Sequence, residues 1–454
     1  MYYFVFDTND NGSFCRNLPL NNPCFEQGNP NKPYDRPERI NDWYLLNSPN
    51  VKFVTYDKAK KLNVKYFYSI WFDQTVYVNV FQPTIKNPIV IRLHDYIEND
   101  INNNKCHLVL NNANEGFHHH RHILKKRIFE IFPHLSFKNI IFVTSTDDQF
   151  NTVDFKEKSH DLSIEIREQG WNTYDEIHDI KKYKELNVEC FNGWERQVAN
   201  DWSNSGRRSQ PGELEYKQFY KCQLNYIKNK KNRKFYFTCY TRIPRYYRLL
   251  FLCLLSYNNL LNKTIWSYGP LIETHLYDVN NLENIYNLIP KHKNIYNLDN
   301  IAKKFINGGN KCSSDFNLNG HNHLFISYND IYESYFNIVL DTDITSNELI
   351  MTEKCYKTII SLQFLLYLGN PFVIKRLRKD GYDMFDDFIN HSYDEELDFE
   401  NRLFLLLSEV NRLSNLSKKQ INLFYKNNIN RFIKNKENFF EHNHKRYCYW
   451  EKYV

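Results

Sequence analysis

Two short stretches of this chain carry residue types suited to holding a diphosphate. The first is Arg242-x-x-Arg245-x-x-Arg248, which follows the β-rich run Phe235–Tyr240 and opens an apolar stretch. In open α/β sheets ligands bind outside the carboxyl ends of strands, and helix N-termini attract phosphate. Guanidinium groups placed there can clamp a diphosphate through paired hydrogen bonds. The same arginines would equally serve as solvated residues of a helix start. The second stretch is Thr352-Glu353-Lys354, downstream of Asp341-Thr342-Asp343 at the end of a strand-like run. A threonine there can cap a helix, and a glutamate in the first turn is favoured by the helix dipole without any ligand. The functional alternative puts Glu353 on ribose hydroxyls and Lys354 on phosphate.

Other chemistry-bearing patterns point elsewhere. Asp341-x-Asp343 at a strand end would suit a divalent cation on a donor diphosphate, since carboxylates favour Mg²⁺ or Mn²⁺. His118 and His122 stand four apart, the spacing of two zinc ligands on one helix face, but no nearby residue completes a set. Gly308-Gly309-Asn310-Lys311 lacks the spacing of a phosphate-binding P-loop. His94-Asp95 lacks the partner histidines of a phosphohydrolase. With no G-x-S-x-G elbow present, a lipase-type hydrolase has no support.

The elements that must position these residues read as alternating strands and helices. In the first half, strands are expected at 2–7, 51–56, 88–93, 106–110 and 139–144, with a helix at 119–132 whose apolar residues Ile123, Ile128 and Ile131 recur at helical spacing. A further helix is expected near 213–227. The second half opens with a strand at 235–240, an apolar helix after Pro244, and a strand at 264–269 closed by Gly269-Pro270, the size of one βαβ unit. Strands at 323–328, 336–341 and 364–369 follow, with helices at 352–361 and 371–379. The last segment, from 401, reads as helical and basic. The alternation argues for mostly parallel sheets. The 454 residues exceed one ordinary core. The expected division is an α/β domain over 1–228, a second Rossmann-like domain over 229–400 and a helical segment over 401–454.

Composition narrows the partners. Basic residues number 59 and acidic ones 53, a net charge of +6 spread thinly over the chain. One dense basic run, KNKKNRK at 228–234, permits a nucleic-acid partner but also reads as a solvated linker. Aromatics reach 17%, alongside abundant Asn, Lys and Ile, so aromatic clusters alone do not argue for base stacking. No run approaches the ~20 apolar residues of a membrane span, and the N-terminus reads as a strand rather than a signal peptide. The ten scattered cysteines lack close pairs and are expected to be reduced thiols. A cytoplasmic location is the expectation.

The order of the two site-bearing segments resembles a known family. The stretch from Ser334 to Phe388, with Asp341, then Thr352-Glu353-Lys354, then Gly369-Asn370-Pro371, resembles the donor-binding half of the α1,3-fucosyltransferase family and related phage glycosyltransferase-like proteins. Cys239–Leu255, CYTRIPRYYRLLFLCLL, with Trp266–Gly269, WSYG, resembles the same family's arginine-bearing first strand–helix and its following strand. The resemblance implies a GT-B-like α/β architecture: two Rossmann-like domains facing a central cleft, followed by C-terminal helices. It implies a glycosyltransferase, inverting in outcome, that takes a sugar from a GDP- or UDP-sugar to a glycan or other hydroxyl acceptor without a required cofactor. Arg245 and Lys354 would neutralise the diphosphate, Glu353 would hold the ribose, and Arg242, Arg248, Tyr268, Asp341 and Thr352 would complete the donor site. Relatives often carry glutamate where this chain has Asp341. The proton acceptor would come from the first domain. Glu115, beside Gly116 and just past the strand at 106–110, is one candidate, and Asp95 is the second. Two alternatives stay open: a binding protein of this shape without turnover, and a glycosyltransferase acting on modified DNA bases.

Overall fold

Runs such as YYFV, YFYSIW, CHLVLNN and IIFVT are rich in β-branched and aromatic residues on both alternating faces. Such runs form strands buried on both sides, as parallel sheets require. The computed structural model bears this out. It describes residues 1–8, 17, 51–71, 90–112, 128–144, 146–147, 187–190, 227, 229, 233–241, 245–269, 282–307, 311–312, 332–341, 344, 349–445 and 453. The chain is an α/β protein with two sheets of mostly parallel strands, an arrangement compatible with two Rossmann-like domains. It divides into two units, Met1–Gln197 with Asn443–Val454, and Val198–His442.

The first unit holds strands β1 (Tyr2–Val5), β2 (Val51–Val54), β3 (Tyr66–Trp71), β4 (Cys106–Asn112), β5 (Ile140–Thr144) and β6 (Asn187–Cys190), in the spatial order β2-β1-β3-β4-β5-β6. Every pairing in this sheet is parallel. Helices α1 (Tyr56–Leu62) and α2 (Asp95–Asn102) lie between strands. Alternation splits each strand between two cores. Tyr68, Leu108, Leu110, Ile140 and Phe142 pack with Ile97 and Ile101 of α2 and with Ile128, Ile131 and Phe132. Phe4, Phe67, Val109 and Ile141 form the core of the opposite face. Tyr453 is drawn into this unit, its carbonyl accepting a hydrogen bond from His107 Nε2 at 3.0 Å.

Two expectations change here. β3 was not foreseen. Residues 90–93, expected as strand, belong to no ladder. Their alternating burial (Ile91 and Leu93 inside) arises because the segment leads into α2 while the Ile91 N–H donates to the Ile131 carbonyl. Of the helix expected at 119–132, only the end from residue 128 falls among the described residues, and nearly all of that at 213–227 lies outside them.

The second unit holds β7 (Phe237–Thr241), β8 (Thr264–Tyr268), β9 (Lys311–Cys312), β10 (Phe336–Leu340) and β11 (Phe364–Leu368), in the order β9-β8-β7-β10-β11. Only the edge strand β9 is antiparallel. The helices are α3 (Tyr246–Tyr257), α4 (Glu283–Asn287), α5 (Asp299–Asn307), α6 (Glu353–Ile360), α7 (Val373–Lys379), α8 (Phe399–Ser414), α9 (Lys418–Asn427) and α10 (Ile429–Lys445). α3 is apolar all round and buried from Tyr247 to Leu255, as such a helix must be. The strand expected at 323–328 lies outside the described residues. Among the described residues no helix is long and apolar enough to cross a membrane, and Cys106, Cys239, Cys253 and Cys355 are free, buried thiols.

Candidate functional site

Strand order reverses once in the second sheet. β7 is followed in sequence by β8 on one side, whereas β10 and β11 lie on the other. The carboxyl ends of β7 and β10 therefore flank a topological switch point, the general ligand position of open α/β sheets. The side chains gathered there come from four elements: the first turn of α3, the end of β10, the start of α6 and the end of β11.

Asp341, one residue beyond β10 and 1% exposed, is the hub. Its Oδ1 accepts a hydrogen bond from Thr352 Oγ1 at 2.6 Å and lies 3.5 Å from Lys354 Nζ. Its Oδ2 accepts from the Tyr367 hydroxyl at 2.9 Å. Its backbone carbonyl accepts from Arg248 Nη2 at 2.9 Å and from the Tyr247 hydroxyl. A buried carboxylate is stable only when such partners replace water. Burial pushes the Tyr367 hydroxyl well up, as does the Asp341 charge beside it. Burial likewise raises Tyr247, against the pull of the Arg248 and Arg245 cations. Both phenols thus keep their protons and serve as donors.

Lys354 is the most exposed side chain of the Asp341–Glu353–Lys354 set. Its side chain is 26% exposed, its Nζ stands 3.2 Å from Glu353 Oε1, and it donates to Thr352 Oγ1 at 3.1 Å. Burial lowers its ammonium, but the Glu353 and Asp341 carboxylates outweigh that, so the net shift is upward and the charge is secure at neutral pH.

Two helix N-termini meet this point. Thr352 occupies the N-cap position of α6 as expected, but its hydroxyl makes no capping bond: it donates to Asp341 Oδ1 and accepts from Lys354 Nζ instead. Arg245 is the N-cap of α3, also without a side-chain capping bond, and is half-buried. Both helices therefore direct positive dipole ends and backbone N–H groups toward the switch point. Across it stand three cations, Arg245, Arg248 and Lys354, and two carboxylates, Asp341 and Glu353.

The expected donor residues divide accordingly. Arg245, Arg248, Asp341, Thr352, Glu353 and Lys354 are brought to one place. Arg248, for which solvent was one expectation, is 4% exposed and holds backbone instead. Tyr268 ends β8 and packs its ring on Phe305 of α5, with centroids 5.9 Å apart. Asp95 is an exposed residue in the first turn of α2, in the other unit. Arg242, Asp343 and Glu115 lie outside the described residues, as do His118 and His122. Sequence reading missed Tyr247 and Tyr367. Tyr247 adjoins Arg248, and Tyr367 stands two residues before Gly369, where a Cβ would come within 2.5 Å of the Tyr367 ring carbon Cζ. That glycine was the available signal, since it marks a close approach.

As a metal site the cluster is already engaged: both Asp341 carboxylate oxygens accept hydrogen bonds from protein hydroxyls. Among the described residues no group of three or more His, Cys, Asp or Glu side chains could hold a metal ion. A separate cavity of about 560 Å³, lined among others by Arg378, Asp386, His391 and Arg412, shares no residue with this cluster. Its arginines are paired, Arg378 with Asp386 and Arg412 with Glu409. Comparison of the chain with family models, with curated proteins and with solved structures returns no match.

Proposed function

We propose that the second unit binds the diphosphate of a nucleotide-sugar, and that the chain is a GT-B glycosyltransferase moving that sugar to a hydroxyl acceptor. The observation that carries this reading is the convergence of two helix N-termini, Arg245 and Lys354 on the switch point of β7 and β10. Such a site favours a polyanion, and the arrangement agrees in order and residue type with the donor half of the fucosyltransferase-like pattern.

In this reading the Lys354 ammonium turns from Glu353 and Asp341 toward the phosphates, with Arg245 opposite it. Negative charge grows on the nucleoside diphosphate as the glycosidic bond breaks, so cations fixed in place beforehand stabilise the transition state more than the bound donor. Glu353 then accepts hydrogen bonds from ribose hydroxyls. Arg248 and Tyr247 act on the protein, clamping the Asp341 carbonyl so that its carboxylate can hold Thr352 and Lys354. Glu115 and Asp95 remain the sequence candidates for the acceptor's base.

Isothermal titration of the full chain with GDP- and UDP-sugars tests the reading. The expected affinity is micromolar, and Lys354→Met should weaken it by about 10- to 100-fold, the worth of one charge-assisted bond. The reading fails if no nucleotide-sugar of the panel produces heat, or if Lys354→Met binds like the parent. Loss of transfer on adding EDTA would instead favour the Asp341/Asp343 metal alternative.

A further inference from the structure

The basic run KNKKNRK at 228–234 ends in the second unit. It arrives at the amino ends of β7 and β8, which run parallel and so share that edge. Asp341 follows β10, parallel to β7, and lies at the opposite ends of the strands. Arg233 turns inward: it is buried, lies over the rings of Tyr335 and Tyr425 at 5.0 and 4.3 Å, and donates to the Ser334 carbonyl. Lys234 turns outward and is exposed. The end of the run is therefore a fixed part of the fold rather than a solvated linker.

Two more lysines meet Lys234 there. Lys263 immediately precedes β8, and Lys418 opens α9. Their ammoniums stand 5.5 and 5.4 Å from the centroid of one ring, that of Tyr236. Lys418 Nζ also donates to the Lys234 carbonyl at 2.5 Å, and Lys263 Nζ to the Ser414 carbonyl at 3.0 Å. An ammonium has three donors, so each is held in place and retains N–H groups for a ligand. Among the described residues no carboxylate forms an ion pair with Lys234, Lys263 or Lys418; the Glu333 carboxylate accepts instead from the Lys234 backbone N–H at 3.1 Å. α9 adds to the imbalance. Its first turn holds Lys418 and Lys419 and no acidic residue, although the helix dipole favours carboxylates there and disfavours cations. A local arrangement that works against stability is expected where a ligand restores the balance.

We propose that Lys234, Lys263 and Lys418 form a docking surface for the sugar–phosphate backbone of a nucleic-acid duplex. Uncompensated cations from three elements complement a dense row of phosphates, one charge per ~1.7 Å of duplex axis. The aromatic residue between them argues for backbone rather than bases. Base stacking needs an open ring. Tyr236 instead carries two ammoniums, stacks on Phe237 at 6.0 Å, and has its hydroxyl tied to the Leu416 carbonyl at 3.0 Å. The same engagement keeps its ring from anchoring in a lipid interface. Lysine is a point charge without arginine's fork, which suits phosphates contacted without regard to sequence. This surface does not depend on what the Asp341 cluster binds.

Fluorescence anisotropy of the full chain with a short labelled DNA duplex, without nucleotide-sugar, tests it. Each lysine–phosphate contact contributes about −0.9 to the slope of log affinity against log salt. Three contacts give a slope of about −2.7, so affinity should fall about 40-fold between about 50 and 200 mM salt. Lys234→Gln combined with Lys418→Gln should bring the slope to about −0.9 and the fall to about 3- to 4-fold. Circular dichroism confirms the fold of the double variant. Lys234→Gln alone, which removes no side-chain hydrogen bond, should lower the slope by about 0.9 and decides the matter if the double variant misfolds. The proposal is overturned if no duplex binds at about 50 mM salt, or if folded variants keep the parent's slope. It is equally overturned if a single strand of the same sequence binds more tightly than the duplex, or if phosphatidylserine vesicles retain the chain and the duplex does not. Neither substitution touches Arg245 or Lys354, so nucleotide-sugar titration of these variants should match the parent, and failure of either reading leaves the other standing.

Discussion

The substitution Tyr367→Phe isolates one bond of the Asp341 hub. It deletes a single hydroxyl, keeps the buried ring, and takes from Asp341 Oδ2 the donor that stands 2.9 Å away. A hydrogen bond to a charged group contributes about 1.5–3 kcal/mol, and a buried oxygen deprived of its donor loses the upper part of that range. A loss of about 2–3 kcal/mol is therefore expected. At about 2–4 °C per kcal/mol for a domain of this size, the thermal midpoint should fall by roughly 4–12 °C. The assay is thermal and urea denaturation of the full chain, run as a double-mutant cycle with Asp341→Asn. The asparagine oxygen can still accept from Tyr367, but a neutral bond is worth only about 1 kcal/mol. Removing the hydroxyl should then cost less in that background, leaving a coupling of about 1–2 kcal/mol between the two positions. A coupling indistinguishable from zero would refute the hub, because it would mean that the hydroxyl does not serve the carboxylate.

Three further outcomes are expected. Gly369→Ala should destabilise by about 1–3 kcal/mol through overpacking, since its Cβ would lie 2.5 Å from Tyr367 Cζ and 2.7 Å from Cε1; urea denaturation reads the loss, and a variant as stable as the parent would contradict the close approach. Asp394 accepts hydrogen bonds from the Ile374 and Lys375 N–H groups at the start of α7, yet burial pushes its carboxyl up to about 6 from 3.8. The folded state thus holds this proton more tightly than the unfolded one, and its contribution falls as pH rises from about 4 to about 6. Relative to Asp394→Asn, the parent should gain up to about 3 kcal/mol as pH drops through that window; a pH-independent difference between the two would contradict the assignment. Asn17→Ala should cost about 2–4 kcal/mol in the first unit, because it strands the Asp7 N–H and the Val5 and Ser69 carbonyls; hydrogen exchange at Asp7 should quicken accordingly.

Much of the scaffold was legible because its signals are local. The runs at 2–5, 106–112, 140–144 and 364–368 are dense in β-forming residues. The apolar stretch after Arg245 is too long and too uniform to be anything but a buried helix. Thr352-Glu353-Lys354 marked the start of α6 to the residue. The β3 strand escaped notice because YFYSIW reads as part of the general aromatic excess of the chain. The segment at 90–93 misled because two alternating buried residues look the same in a strand and in an extended lead-in to a helix.

The sequence by itself determined the α/β class, the starts of α3 and α6 and the residue types that could meet a phosphate. Only the tertiary structure decided what those residues touch. Arg248 reaches the carbonyl of Asp341 across 93 positions of chain, and Tyr367 reaches its carboxylate across 26. Asn17 joins Val5, 12 positions before it, to Ser69, 52 positions after it. Such partners are set by strand order, because strands adjacent in a sheet need not be adjacent in the chain. Periodicity and capping act over one or two turns, and no local rule states which strand ends will share a crevice.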